Sequence, residues 1–250
     1  MKKLIYFLLV GFVFWGCNSE NESDVLIDPE TGMPIENVTQ YSIENYVYEI
    51  ILGPIPPTER RDACQIPVET LKKMTTQAVI QAVLDHPMQM EIFLVNEFIR
   101  GYNGVYKDNN ALIELAKRKD ADMLLLERLK AINPVGPDGF KHVILEFLFS
   151  NYLGKLDDRK IVVEISLNNY KLRNSNGRGI YDPVTFLLIS KAMLVDNYAP
   201  FVKAVNENQS LQSFFNYFEG QGGFMTEIFY HENLVPQTIL DFANRYLNEK

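Results

Sequence analysis

Val143-Ile144-Leu145-Glu146-Phe147-Leu148-Phe149-Ser150-Asn151-Tyr152-Leu153 is apolar on nearly every face, and its length of eleven residues is that of a helix rather than a strand. A helix that is hydrophobic all round must be surrounded, because a single apolar stripe would suffice for one lying on a surface. The stretch therefore predicts a central buried helix with other helices packed about it. The flanking sequence supplies them. Val79, Ala82 and Val83 make an inner face after a capping Thr75, in a segment that ends at His86-Pro87. Met88, Ile92, Val95 and Ile99 recur at helical spacing and predict one continuous helix, with Phe98 and Tyr102 widening its stripe. Asn110 opens a further helix, and Asp120 is placed to cap the next, which Asn133-Pro134 stops.

Downstream, residues 160–173 carry Ile161, Ile165 and Leu172 at helical spacing, although Ile161-Val162-Val163 alone also fits a strand. Asp182-Pro183 reads as an N-cap followed by proline at the first helical position. Residues 200–205, 211–218 and 236–247 give three more helical segments. Nine or ten helices joined by short loops predict an all-α, multi-helical fold, either a bundle or an α-solenoid-like stack of helix pairs. No repeat period emerges. The sequence Asn133-Pro-Val-Gly-Pro-Asp-Gly139 is the clearest internal break, so that one body or two lobes split near residues 133–139 both fit.

Outward from this body, the N-terminus has a different character. Lys2 and Lys3 precede an apolar run over residues 4–15, broken only by Gly11, and Gly16 and Cys17 follow at once. A basic start, an apolar core and a small residue at the cut are the parts of a secretory signal. A dozen apolar residues fall short of the roughly 20 that a spanning helix needs. Phe14-Trp15-Gly16-Cys17 resembles the lipobox of bacterial lipoproteins, although Phe14 and Trp15 depart from the Leu and small residue of stricter versions. The reading is a signal peptide over residues 1–16 and lipid attachment at Cys17, with plain secretion as the competing outcome. Two or more acyl chains would hold the chain on its membrane. Residues 17–57 then form an anchored acidic tether and linker, and 58–250 the helical domain. Glu20, Glu22 and Asp24 in the tether resemble the surface-export signal of Bacteroidota lipoproteins and equally fit a simple spacer. Between two turn-forming stretches of the linker, Ile43, Tyr46, Val47, Ile50 and Ile51 form an apolar stripe, as a short helix or strand.

Without Lys2 and Lys3, 22 Lys and Arg oppose 32 Asp and Glu, a net charge of −10. That excludes nucleic acid as an expected partner, since phosphate binding relies on clustered cations. It also leaves the acyl chains to do the membrane work. With Cys17 acylated, Cys64 has no partner for an internal disulfide, and a buried structural role is expected for it.

Arg61-Asp-Ala-Cys-Gln-Ile-Pro67, Leu71-Lys-Lys-Met-Thr-Thr76 and Leu84-Asp-His-Pro87 resemble the opening of an uncharacterised, predicted secreted or lipidated protein family of Bacteroidota. Lys117-Arg-Lys-Asp-Ala121 with residues 124–129, and Asn197-Tyr-Ala-Pro-Phe201, resemble its later stretches. The likeness spans roughly residues 58–250. It implies that Cys64 is a shared structural feature. It implies no activity, because these motifs carry no known chemistry.

A search for chemistry yields little. His231-Glu232 begins the zinc-protease pattern, but position 235 is Val where the second His belongs. His142 and Glu146 lie one turn apart and could place two ligands on one face, yet their apolar helix favours a satisfied structural pair. Gly177-Arg178-Gly179 and Gly220-Gln-Gly-Gly223 are glycine turns without the strand and Lys that phosphate binding needs. Arg178 is a candidate for a carboxylate or sugar ligand. Phe214, Phe215, Tyr217, Phe218, Phe224, Phe229 and Tyr230 form either a core against the last helix or an exposed surface for a protein or glycan. No catalytic residue, metal or cofactor is expected. The sequence points to an envelope lipoprotein, expected on the outer membrane with its face open, carrying a binding or scaffold module. The alternative is an exported hydrolase whose residues are scattered in sequence, with paired carboxylates or Cys64 and a distant His.

Overall fold

The computed structural model describes residues 26–27, 34–35, 57–95, 97–136, 139–177, 182–220 and 234–249. Leu26–Ile27 (β1) and Pro34–Ile35 (β2) pair antiparallel, with Leu26 opposite Ile35. All else that is regular is helical, and the fold is all-α. Among the described residues the helices are α1 Pro57–Ala63, α2 Val68–Leu71, α3 Thr76–Leu84, α4 Phe98–Tyr106, α5 Asn110–Leu115 and α6 Ala121–Ala131. They continue with α7 Gly139–Phe149, α8 Lys160–Ser175, α9 Asp182–Val195, α10 Ala199–Glu207, α11 Gln209–Phe218 and α12 Leu234–Asn248. Single 3₁₀ segments occupy Gln89–Phe93 and Leu153–Lys155. Twelve α-helices are described against the nine or ten expected, and the seven-residue α1 is one that carries too little periodicity to be read.

Two helices hold the centre. In α7 every residue from His142 to Phe149 is buried, as the apolar run requires. α9 is as enclosed, with Val184, Phe186, Leu187, Leu188, Ile189, Ala192 and Met193 all in the core. It packs against α7, α8, α10 and α12, while α7 also meets α6 and α3. Phe147 of α7 carries the core sideways: its ring lies 4.5 Å from Tyr102 and 5.1 Å from Phe98 of α4, and 6.2 Å from Phe218 of α11. The buried apolar residues form one cluster running from Cys64 to Tyr246.

The continuous helix expected over residues 88–102 does not form. The chain makes the 3₁₀ turn at Gln89–Phe93, leaves Leu94 and Val95 outside, and starts α4 at Phe98. Gly101 explains how the two pieces fit. A Cβ there would stand 2.3 Å from the Ile92 carbonyl oxygen and 2.8 Å from Val95 Cγ2, so only glycine lets α4 lie against the preceding turn. The first amide of α4 is satisfied from far away, Phe98 N–H donating to the Tyr217 hydroxyl at 2.9 Å.

Capping follows the sequence at Thr75, which accepts from Ala78 N–H at 3.1 Å; at α5 the cap is Asn109, one residue before the Asn110 expected to open the helix, and it accepts from Leu112 N–H at 2.9 Å. Asp120 departs from it. Its carboxylate accepts from the Thr76 hydroxyl at 2.8 Å instead of closing its own helix, so the start of α6 is tied to the start of α3. Arg118 donates to the carbonyls of Met74 and Leu71 at 3.1 and 3.2 Å and thereby fastens the α2–α3 turn.

Candidate functional site

The densest polar assembly lies where α7, α8 and α9 meet, and it is sealed. Ser166, Asn169 and Arg173 recur at i, i+3 and i+7 on α8, so they share one face, and that face turns to His142 and Glu146 of α7 and to Asp182 and Thr185 of α9. Arg173 is 1 % exposed, and His142, Glu146 and Thr185 are fully buried. The Arg173 guanidinium serves four partners. Nη1 lies 2.9 Å from His142 Nδ1 and 3.4 Å from Glu146 Oε2, Nη2 donates to the Thr185 hydroxyl, and Nε faces Asp182 Oδ1 at 3.5 Å. Thr185 passes its own proton to Glu146 Oε2 at 2.7 Å. Asn174 donates to Asp182 Oδ2 at 3.1 Å.

Hydrogen-bond valence fixes the imidazole. A guanidinium has only donors, so His142 Nδ1 accepts and the ring proton sits on Nε2. Asn169 Nδ2 lies 3.0 Å from Nε2, and a proton on Nε2 calls for this amide to be turned about so that its oxygen accepts it. Burial lowers the His142 pKa, and Arg173 lowers it further against the pull of Glu146. Burial also raises the Asp182 carboxyl to about 6, outweighing Arg173. The arrangement neutralises an enclosed guanidinium with carboxylates from two other helices. It ties three helices together.

Cys64 and His86 are also enclosed. Cys64 is buried at the end of α1, and burial with Glu91 nearby pushes its thiol up to about 11, so it is not a ready thiolate. His86 accepts from Met88 N–H at 3.2 Å and rests on the Tyr106 ring at 5.2 Å, with burial lowering its pKa to about 4. Lys191 of α9 is half-buried, donating to Asn151 Oδ1 at 3.1 Å and Ser150 Oγ at 3.4 Å, while the Ser150 hydroxyl gives its proton to the Phe147 carbonyl. Phe214, Tyr217 and Phe218 are core residues. Among the described residues no group of three or more His, Cys, Asp and Glu could hold a metal ion, and no helix is long and apolar enough to cross a membrane.

Among the described residues, one stretch of surface concentrates exposed apolar side chains. Met90, Leu94 and Val95 stand out on six residues of chain at the 3₁₀ turn, with Leu94 78 % exposed. Arg60 of α1 braces this turn through Glu91 at 2.9 Å.

Of the residues singled out from sequence, the structure brings His142 and Glu146 together, at 3.7 Å, and sets Arg173 of α8 and Thr185 of α9 against them. Spacing within α7 revealed the pair. Nothing local could reveal Arg173, Thr185 or Asp182, which stand 27 to 39 positions from Glu146 in sequence. Cys17, Arg178, His231, Glu232, Phe224, Phe229 and Tyr230 lie outside the described residues, as does the apolar stripe over residues 43–51.

Neither a family model, nor a curated protein, nor a solved structure matches this chain.

Proposed function

We propose that the chain is an exported lipoprotein, held on its membrane through Cys17, whose helical body binds or scaffolds a partner macromolecule. The observation that carries the binding half is the apolar turn at Met90, Leu94 and Val95. A Leu side chain left 78 % exposed beside two half-exposed apolar neighbours is a standing cost in water that a partner's apolar surface would remove. The enclosure of Cys64, His86 and His142 weighs against a hydrolase built on the thiol and either of these imidazoles. The anchoring half rests on the signal-like N-terminus and the Gly16-Cys17 junction.

Site-specific photo-crosslinking from position 94 in the producing cell tests the binding half. A discrete adduct, lost when Val95 is changed to Asp in the same background and retained when the exposed Val195 of α9 is changed to Asp, supports it. Equal crosslinking in both backgrounds, or none, refutes the assignment of this surface.

A further inference from the structure

We propose that the α7–α8–α9 junction is an acid-operated latch in which proton binding by His142 and the Arg173 contact exclude each other. The exclusion is a matter of hydrogen-bond valence. In the closed junction His142 Nδ1 accepts from Arg173 Nη1 at 2.9 Å. An imidazolium carries N–H on both nitrogens and accepts nothing, so a proton added at Nδ1 would point at a donor of an already cationic group. Neither partner has room to turn away, since both are buried and Arg173 is held on its other edge by Thr185 and Asp182. Uptake of the proton therefore requires α8 to part from α7.

The groups that face the ring are few. Glu146 on its own helix lies 3.7 Å away and favours the cation, Arg173 of α8 opposes it, and Asp182 of α9 reaches it only through Arg173. Asn169 and Thr185 are neutral. Lys141, next in sequence to His142, is turned to Asp85 of the α3 end at 2.6 Å. Asp182 acts in the opposite sense: acid protonates it more readily in the closed junction than in the open one, which holds the junction shut. The latch is therefore read as the difference between two proteins rather than from one profile.

The experiment is hydrogen exchange followed by mass spectrometry on the protein purified with its native N-terminus, comparing wild type with His142→Gln between pH 7 and pH 5. Gln offers one acceptor and one donor and takes up no proton. The ratio of wild-type to His142→Gln opening in peptides of α8 and α9 is expected to climb roughly tenfold per pH unit below the ordinary imidazole pKa of about 6.5. His86→Gln should keep the wild-type ratio in these peptides. A ratio that does not change with pH overturns the latch. Should His142→Gln fail to fold, nitrogen NMR of histidine-labelled wild type decides: an imidazolium signal for His142 while α8 and α9 amides stay protected overturns it, and one that appears only together with their exposure supports it.

Discussion

Arg173 is where the interior concentrates its electrostatic risk. A guanidinium taken out of water costs several kcal/mol, and the carboxylates of Glu146 and Asp182 offset it only while geometry holds. Removing the cation strands Glu146, whose second oxygen, Oε1, has no hydrogen-bond partner among the described residues. Arg173→Ala is therefore expected to lower stability by about 3 to 5 kcal/mol in urea denaturation, against less than about 1 kcal/mol for Lys203→Ala, whose pair with Glu207 is exposed. The pH profile follows from three groups. His86 and His142 have pKa values lowered by folding, so the stability they contribute is present above about pH 6.5 and is lost as pH falls, toward about 4 for His86. Asp182, raised to about 6, works the other way between about pH 6 and 4. Two imidazoles outweigh one carboxyl, so the denaturation midpoint should fall between pH 7 and pH 5. Asp182→Asn should steepen the fall by removing the one opposing term.

At the scale of the element, α4 offers a paired test on one helix. Gly101 and Gly104 are both helical, and Ala in a helix is favoured over Gly by about 1 kcal/mol where nothing obstructs its methyl group. Nothing stands within 4 Å of a Cβ at Gly104, so Gly104→Ala should gain about that amount. At Gly101 the methyl would strike the Ile92 backbone, and Gly101→Ala should lose about 1 to 3 kcal/mol or more. Opposite signs in thermal denaturation confirm that the 3₁₀ turn is seated on α4; like signs refute it. The same place shows the limit of periodicity. Met88, Ile92, Val95 and Ile99 carry a sound helical stripe. The break is decided by a contact between α4 and the turn before it, and a Gly in a helical pattern does not say which backbone will approach it. Asp120 is a second instance: its placement as a cap was legible, but the hydroxyl it prefers belongs to Thr76, 44 positions earlier.

For the whole molecule, the nearly unbroken apolar run that supplies residues 143–149 of α7 was enough to give the class, because a helix with no polar face can only be covered by others. α9, equally central, was legible as a helix but not as the hub, since its Asp182, Thr185 and Ser190 break the apolar run, and Thr185 and Asp182 are accommodated by partners on α7 and α8. Val95 of the exposed turn was read as part of the inner stripe for the same reason that the break was missed. The proposed function thus rests on two places, an apolar turn that only the folded chain reveals and a cysteine that only the sequence reveals. The net charge of −10 after residue 16 gives the body no attraction of its own to an anionic membrane, so anchoring stands or falls with Cys17. Mass spectrometry of the mature N-terminus isolated from membranes decides it. The account predicts a chain that begins at Cys17 and carries a diacylglycerol thioether with an acylated amino group; a free, unmodified Cys17 or an uncut Met1 would contradict it.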